Sequence, residues 1–180
     1  MISVIVCSRY KSGYELHSRN IAKTIGTPYE YIVIDNSDNR YSLCSAYNEG
    51  VARAQGEICV FMHEDVFFME GNWGKVLENK FEDSTIGLVG VAGSSYLFSD
   101  LPGWVAAGRP YIKGHVVHEL QNGSVYNLTV FNWENTDQDV VVVDGLFFSI
   151  RKSLFSSISF DEKTFDGFHF YDLDICMQIR

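Results

Sequence analysis

Apolar and polar positions along the chain follow two different periods. ISVIVC from Ile2 and YIVID from Tyr31 are short apolar, β-branched runs closed by polar turn residues, the pattern of strands buried on both faces of a parallel sheet. The chain between them is long enough for one helix. From Ser42 the period changes: in SLCSAYNEGVARAQGE, Leu43, Ala46, Tyr47, Val51 and Ala54 recur at helical spacing, and the pattern stops at Gly56. A third strand, ICVFMH, follows at once. Strand, helix, strand, helix, strand predicts right-handed βαβ units with helices covering a sheet.

Past Asn72 the pattern predicts a helix over WGKVLENKF and a strand over IGLVGVAG, then a loop rich in Gly, Ser and Pro as far as Pro110. HVVHELQNGSVYNLTVF carries Asn122-Gly123 between two β-rich runs, which predicts a hairpin. VVVVDG and LFFSI supply further strands, with a short helix or turn from Arg151 to Phe155. A last helix opens near Tyr171 and meets no capping signal before Arg180, so the chain is expected to continue further.

Composition narrows the functions this pattern can carry. With 180 residues, 46% of them hydrophobic, the chain has the size and apolar content of one domain around one core. Lys+Arg 14 against Asp+Glu 23 gives a net charge of -9, which excludes a broad electropositive face for nucleic acid and repels anionic lipid. An anionic ligand must then be offset by local positive charge or a divalent metal. MISVIVCS lacks the basic start and long apolar stretch of a secretory signal, and no apolar run reaches membrane-spanning length. A cytoplasmic protein without a transmembrane segment is expected. Cys7, Cys44, Cys59 and Cys176 sit among apolar neighbours at wide spacings, which reads as buried reduced thiols ahead of a disulfide framework or zinc site.

In open α/β sheets ligands bind beyond the carboxyl ends of the strands, so the candidate chemistry lies in Ser8-Arg9, Asp35-Asn36-Ser37 and His63-Glu64-Asp65. Asp35 is suited to hold a base or ribose through its carboxylate, and Arg9 to face a phosphate. The run from Asp35 to Asn39 is equally the composition of a solvated turn. His63 and Asp65, two residues apart on leaving a buried strand, can reach one cation together; the plain alternative is a satisfied strand end.

The stretch AYNEGVARAQGEICVFMHEDV, with ISVIVCSR and YIVIDNS before it and VDGLFFSIRKSLF and FDEKTFDGFHFYDLDICMQIR after it, resembles the family 2 glycosyltransferases. The likeness spans nearly the whole chain and is weakest from Ser94 to Asp139. It implies a GT-A α/β fold: a three-layer, Rossmann-like α/β/α arrangement with a mainly parallel central sheet and a β-hairpin on the acceptor side. It further implies one domain over 1–180, with a nucleotide-binding half of about 1–93 and an acceptor-side half of about 94–180.

By the same resemblance Ser8, Arg9, Asp35, Asn36 and Glu64 contact the nucleotide, and Asn48 stands at the asparagine of A-R-N-x-G, where a structural role is as natural. His63 and Asp65 stand for D-x-D, with His169 either completing the metal shell or simply packing. Imidazole in the first position favours manganese over magnesium and leaves Asp65 the stronger anchor. Tyr47 replaces an arginine and Tyr171 a glutamate. Asp172 and Asp174 match the second acidic motif as candidate bases, with helix capping as the alternative role for both.

The implied reaction moves a sugar from a nucleotide-diphosphate sugar to a glycan, lipid-linked or protein hydroxyl, with inversion at the anomeric carbon. Two rivals remain at this stage. A nucleotidyltransferase would want a Gly-rich phosphate loop, for which VCSRYKSG is a poor match; a non-catalytic sugar-nucleotide or glycan binding module would fit the His63 and Tyr171 departures. Trp73, Trp104 and Trp133 are expected to pack in the core before stacking on a sugar, and His115 and His118 to lie on the surface.

Overall fold

A computed structural model of the chain describes residues 1–10, 14–119, 126–134 and 136–180. The elements run β1 (Ile2–Ser8), α1 (Tyr14–Thr24), β2 (Tyr29–Asp35), α2 (Leu43–Arg53), β3 (Ile58–Met62), α3 (Trp73–Lys80), β4 (Leu88–Gly90), β5 (Ala92–Ser94), β6 (Ile112–Glu119), β7 (Tyr126–Val130), β8 (Val142–Val143), β9 (Phe147–Arg151) and α4 (Tyr171–Ile179), with 3₁₀ turns at Trp104–Ala107 and Lys152–Ser156. The first sheet has the order β2-β1-β3-β9-β4, and its strands are mostly parallel; β9 alone runs against its neighbours β3 and β4. A second, antiparallel sheet has the order β7-β6-β5-β8.

Period-2 alternation sorts the first sheet into two cores. From β1 and β3, Ile2, Val4, Val6, Ile58, Val60 and Met62 face α1 and α3 through Ile21 and Leu77. Ile5, Cys59 and Phe61 face α2 and α4 through Ala46, Tyr47, Tyr171 and Ile175. Each fully buried side chain of this size stabilises the fold by about 1.5–3 kcal/mol. Ser42 caps α2 by accepting from the Ser45 N–H at 3.1 Å. Gly50 lets that helix lie directly on β1, since a Cβ there would come within 2.3 Å of the Ile5 side chain.

The run IGLVGVAG, expected as one strand, is two. β4 pairs with β9 in the first sheet and β5 with β6 and β8 in the second, so the chain changes sheet at Val91. An unbroken apolar run carries no mark of such a switch. VVVVDG likewise contributes only Val142 and Val143 as strand. β6 and β7 pair antiparallel with Val117 opposite Leu128; the Asn122-Gly123 turn and the end of VCSRYKSG lie outside the described residues. Arg151 donates to the carbonyls of Phe81, Asp83 and Ile86 beyond α3, and Lys152 Nζ to that of Ala54 beyond α2.

All four cysteines are free. Burial pushes the thiols of Cys7 and Cys176 up to about 11 and those of Cys44 and Cys59 to about 12, so they stay protonated and act as small apolar residues. Among the described residues no helix is long and apolar enough to cross a membrane.

Candidate active site

The reversed direction of β9 builds the site. β1, β2 and β3 end at Ser8, Asp35 and Met62 on one edge of the sheet. Because β9 runs the other way, it starts at that edge: Phe147 lies opposite Met62, and the His63 N–H donates to the Leu146 carbonyl at 3.1 Å. The first turn of α4 joins them there, where Asp172 accepts the Gly145 N–H at 2.9 Å. His63, residues 144–146 and residues 171–172 thus meet although they are far apart in sequence.

Asp172 is the chemically poised carboxylate of this corner. Burial raises its pKa above the ordinary carboxylate value, and the nearby Asp144 adds to the shift, against the lowering effect of N–H donors from Leu173 and Gly145. Asp144 accepts the Leu146 N–H at 2.7 Å and the indole N–H of Trp104. Two carboxylates close together in a partly dry site cannot both ionise easily, and a carboxylate so raised is suited to hold and release a proton.

Asp174 belongs elsewhere. It accepts from Gln178 Nε2 at 2.6 Å, one turn along α4, and Gln178 in turn donates to the Ser159 carbonyl. Successive positions two apart on a helix point about 200° apart, which separates the two acids.

His63 Nε2 lies 3.1 Å from the Tyr171 hydroxyl. Tyr171 is buried, packed on Tyr47 at 5.6 Å and Phe148 at 6.3 Å between ring centres. A Cβ at residue 145 would stand 1.9 Å from the Tyr171 oxygen, so only glycine leaves room for this ring.

The remaining expected contacts are used largely within the chain. Glu64 binds across the ends of two strands, with Oε2 2.5 Å from Ser8 Oγ and Oε1 accepting the Arg9 N–H at 3.3 Å. Asp35, opposite Ser8 in the sheet, accepts the Ser37 N–H at 2.9 Å. Asn36 is buried and closes the following loop through both ends of its amide, to the Tyr41 carbonyl and N–H at 2.9 Å each. Asn48 anchors α2 to the Phe160 main chain and to Glu162. Arg9 is exposed.

Of the metal ligands expected from sequence, Asp65 is exposed and accepts no hydrogen bond among the described residues, whereas His63 is engaged by Tyr171. His169 is exposed on the approach to α4 beside Phe170. No group of three His, Cys, Asp or Glu side chains able to hold a metal occurs among the described residues. The exposed Asp65 carboxylate, which accepts no hydrogen bond among the described residues, has a chemistry that suits a divalent cation.

Sequence reasoning passed over Asp144 and Gly145 and read Trp104 as a core residue. An aspartate and glycine leaving the apolar run VVVV carry the same signal as the other strand ends, but that signal marks the site edge only once β9 is known to be reversed. The tryptophans divide three ways: Trp73 stacks on Phe68 at 4.2 Å, Trp104 is buried with its N–H on Asp144, and Trp133 is 80% exposed. A cavity of about 770 Å³ runs along β4 and β5 beside Lys80, Lys113 and Arg180 and is lined by none of these site residues.

A family model described as a glycosyltransferase-like family matches residues 3–180. No curated protein sequence matches. Among solved structures, the crystal structure of A197 from STIV is similar over 99% of this chain and 77% of its own, with a TM-score of 0.53 at 13% identity. At that identity the likeness shows a shared fold.

Proposed function

The chain belongs to the glycosyltransferase-like family across residues 3–180, and from that membership we propose that it transfers a sugar from a nucleotide-diphosphate sugar to an acceptor hydroxyl, inverting the anomeric carbon, with Asp172 as the base. The observation that carries this reading is the half-buried Asp172 carboxylate, raised in pKa, at the open edge of a mostly parallel sheet.

In this mechanism Asp172 takes the proton of the acceptor hydroxyl as its oxygen attacks the anomeric carbon. The bond from that carbon to the diphosphate oxygen breaks, and the nucleoside diphosphate departs with the electron pair. Burial, with a smaller contribution from Asp144, keeps the proton affinity of Asp172 high, and Gly145 N–H orients it. Asp35 and Arg9 lie where the nucleoside and its phosphates would meet the strand ends. A divalent ion, where one takes part, would be held at Asp65 and would neutralise charge on the departing diphosphate.

The test is calorimetry with uridine and guanosine diphosphate sugars, followed by transfer assays. Saturable binding in the micromolar to millimolar range, abolished by Asp35→Ala, is expected. Absence of binding to any such donor at saturating concentration sinks the proposal.

A further inference from the structure

The proton count around Tyr171 assigns a role to His63. The Tyr171 hydroxyl is buried, and its hydrogen bond among the described residues is to His63 Nε2 at 3.1 Å. A phenol has one proton to place, and a buried donor left unpaired costs about 1–3 kcal/mol. The hydroxyl therefore donates, and Nε2 accepts with its lone pair. A neutral imidazole whose Nε2 is the acceptor carries its own proton on Nδ1. Nδ1 has no hydrogen-bond partner among the described residues, and His63 is exposed at the end of β3.

We propose that His63 presents its Nδ1–H as a hydrogen-bond donor to the diphosphate of the nucleotide sugar, and that Tyr171 is the positioning residue that fixes this tautomer. The proposal rests on the reading of the ligand as a nucleotide-diphosphate sugar. It replaces the expected metal-ligating role of His63, because a protonated Nδ1 has no lone pair for a cation. The opposite tautomer, with Nε2–H donating to the phenol and Nδ1 bare, would suit a metal but would strand the buried phenol proton. Gly145 is part of the device, since its missing side chain is the space the phenol occupies.

Two measurements test the proposal. Nitrogen-15 NMR of histidine-labelled protein, with His63 assigned by its loss in His63→Asn, reads the tautomer directly in the ligand-free protein. Nδ1–H is expected in the unmodified chain and a mixture in Tyr171→Phe; an Nε2–H tautomer in the unmodified chain overturns the proposal whether or not any nucleotide binds. Calorimetry with uridine and guanosine diphosphate, in chelator, then reads the phosphate contact. His63→Ala should weaken binding about tenfold, the loss expected of one hydrogen bond to a charged group. His63→Asn, whose amide N–H falls near the position of Nδ1–H, should recover most of it. Equal affinity of His63→Ala and the unmodified chain overturns the phosphate role. Failure of both nucleotides to bind the unmodified chain instead removes the donor reading itself, and the tautomer still decides the part played by Tyr171.

Discussion

The ends of β1 and β2 and the corner where β9 meets α4 share one sheet edge but are held by different means. At the first, short-range bonds shape the loop after β2, Asp35 to Ser37 and Asn36 to Tyr41, two and five residues apart, and Glu64 reaches in from a distance, 56 residues to Ser8. At the second, Asp172 reaches back 27 residues to Gly145, Trp104 spans 40 to Asp144, and His63 spans 108 to Tyr171. Local bonds shape turns that leave Asp35 and Arg9 in water, where charges are screened. Long-range packing encloses Asp172 and shifts its proton affinity. In the proposed reaction, recognition would fall to the turns and proton transfer to the packed corner.

The largest effect should come from breaking the corner's chemistry. Asp172→Asn is expected to lower turnover by roughly a hundredfold or more while donor affinity by calorimetry survives. Its counterpart in pH is a rate that rises on a limb displaced above the usual carboxylate range and disappears in Asp172→Asn. Stability carries the opposite sign: the folded state binds this proton more tightly than the unfolded chain. Asp172 therefore contributes a loss of stability as pH rises from the ordinary carboxylate value through its raised folded value. A urea midpoint that climbs with pH across that window more steeply than in Asp172→Asn would support the assignment poorly; the reverse is expected.

A smaller effect tests the packing beneath that chemistry. Gly145→Ala places a methyl group against the Tyr171 ring and should cost about 1–3 kcal/mol, seen as a fall of several degrees in Tm, with turnover reduced because the Gly145 N–H and Asp172 move together. The same change at Gly103, where an added Cβ meets nothing, should leave Tm within about a degree. The smallest effect sharpens the contrast within α4. Asp174→Asn weakens a bond from Gln178 on the exposed side of the helix and should change stability by about 0.5 kcal/mol or less, with turnover nearly unaltered. A loss of turnover in Asp174→Asn that equals the loss in Asp172→Asn would dissolve the distinction between the two acids.

The sequence by itself determined the elements and one edge of the site. Runs such as ISVIVC and ICVFMH can be little other than buried strands, Ser42 before a helical period marks a capped start, and polar residues after parallel strands fall at the ligand edge in any βαβ sheet. These signals are local, with periods of 2 and 3.6 residues, and so survive in a single sequence. The tertiary structure alone decided that IGLVGVAG divides between two sheets, that β9 enters reversed, and that Asp144, Gly145 and Tyr171 therefore join His63 and Asp172. It also decided that Asn36, Asn48 and Asp174 bind their own chain. Strand direction and the pairing of distant side chains arise from how the two cores close around the sheet, and no period along the chain encodes them.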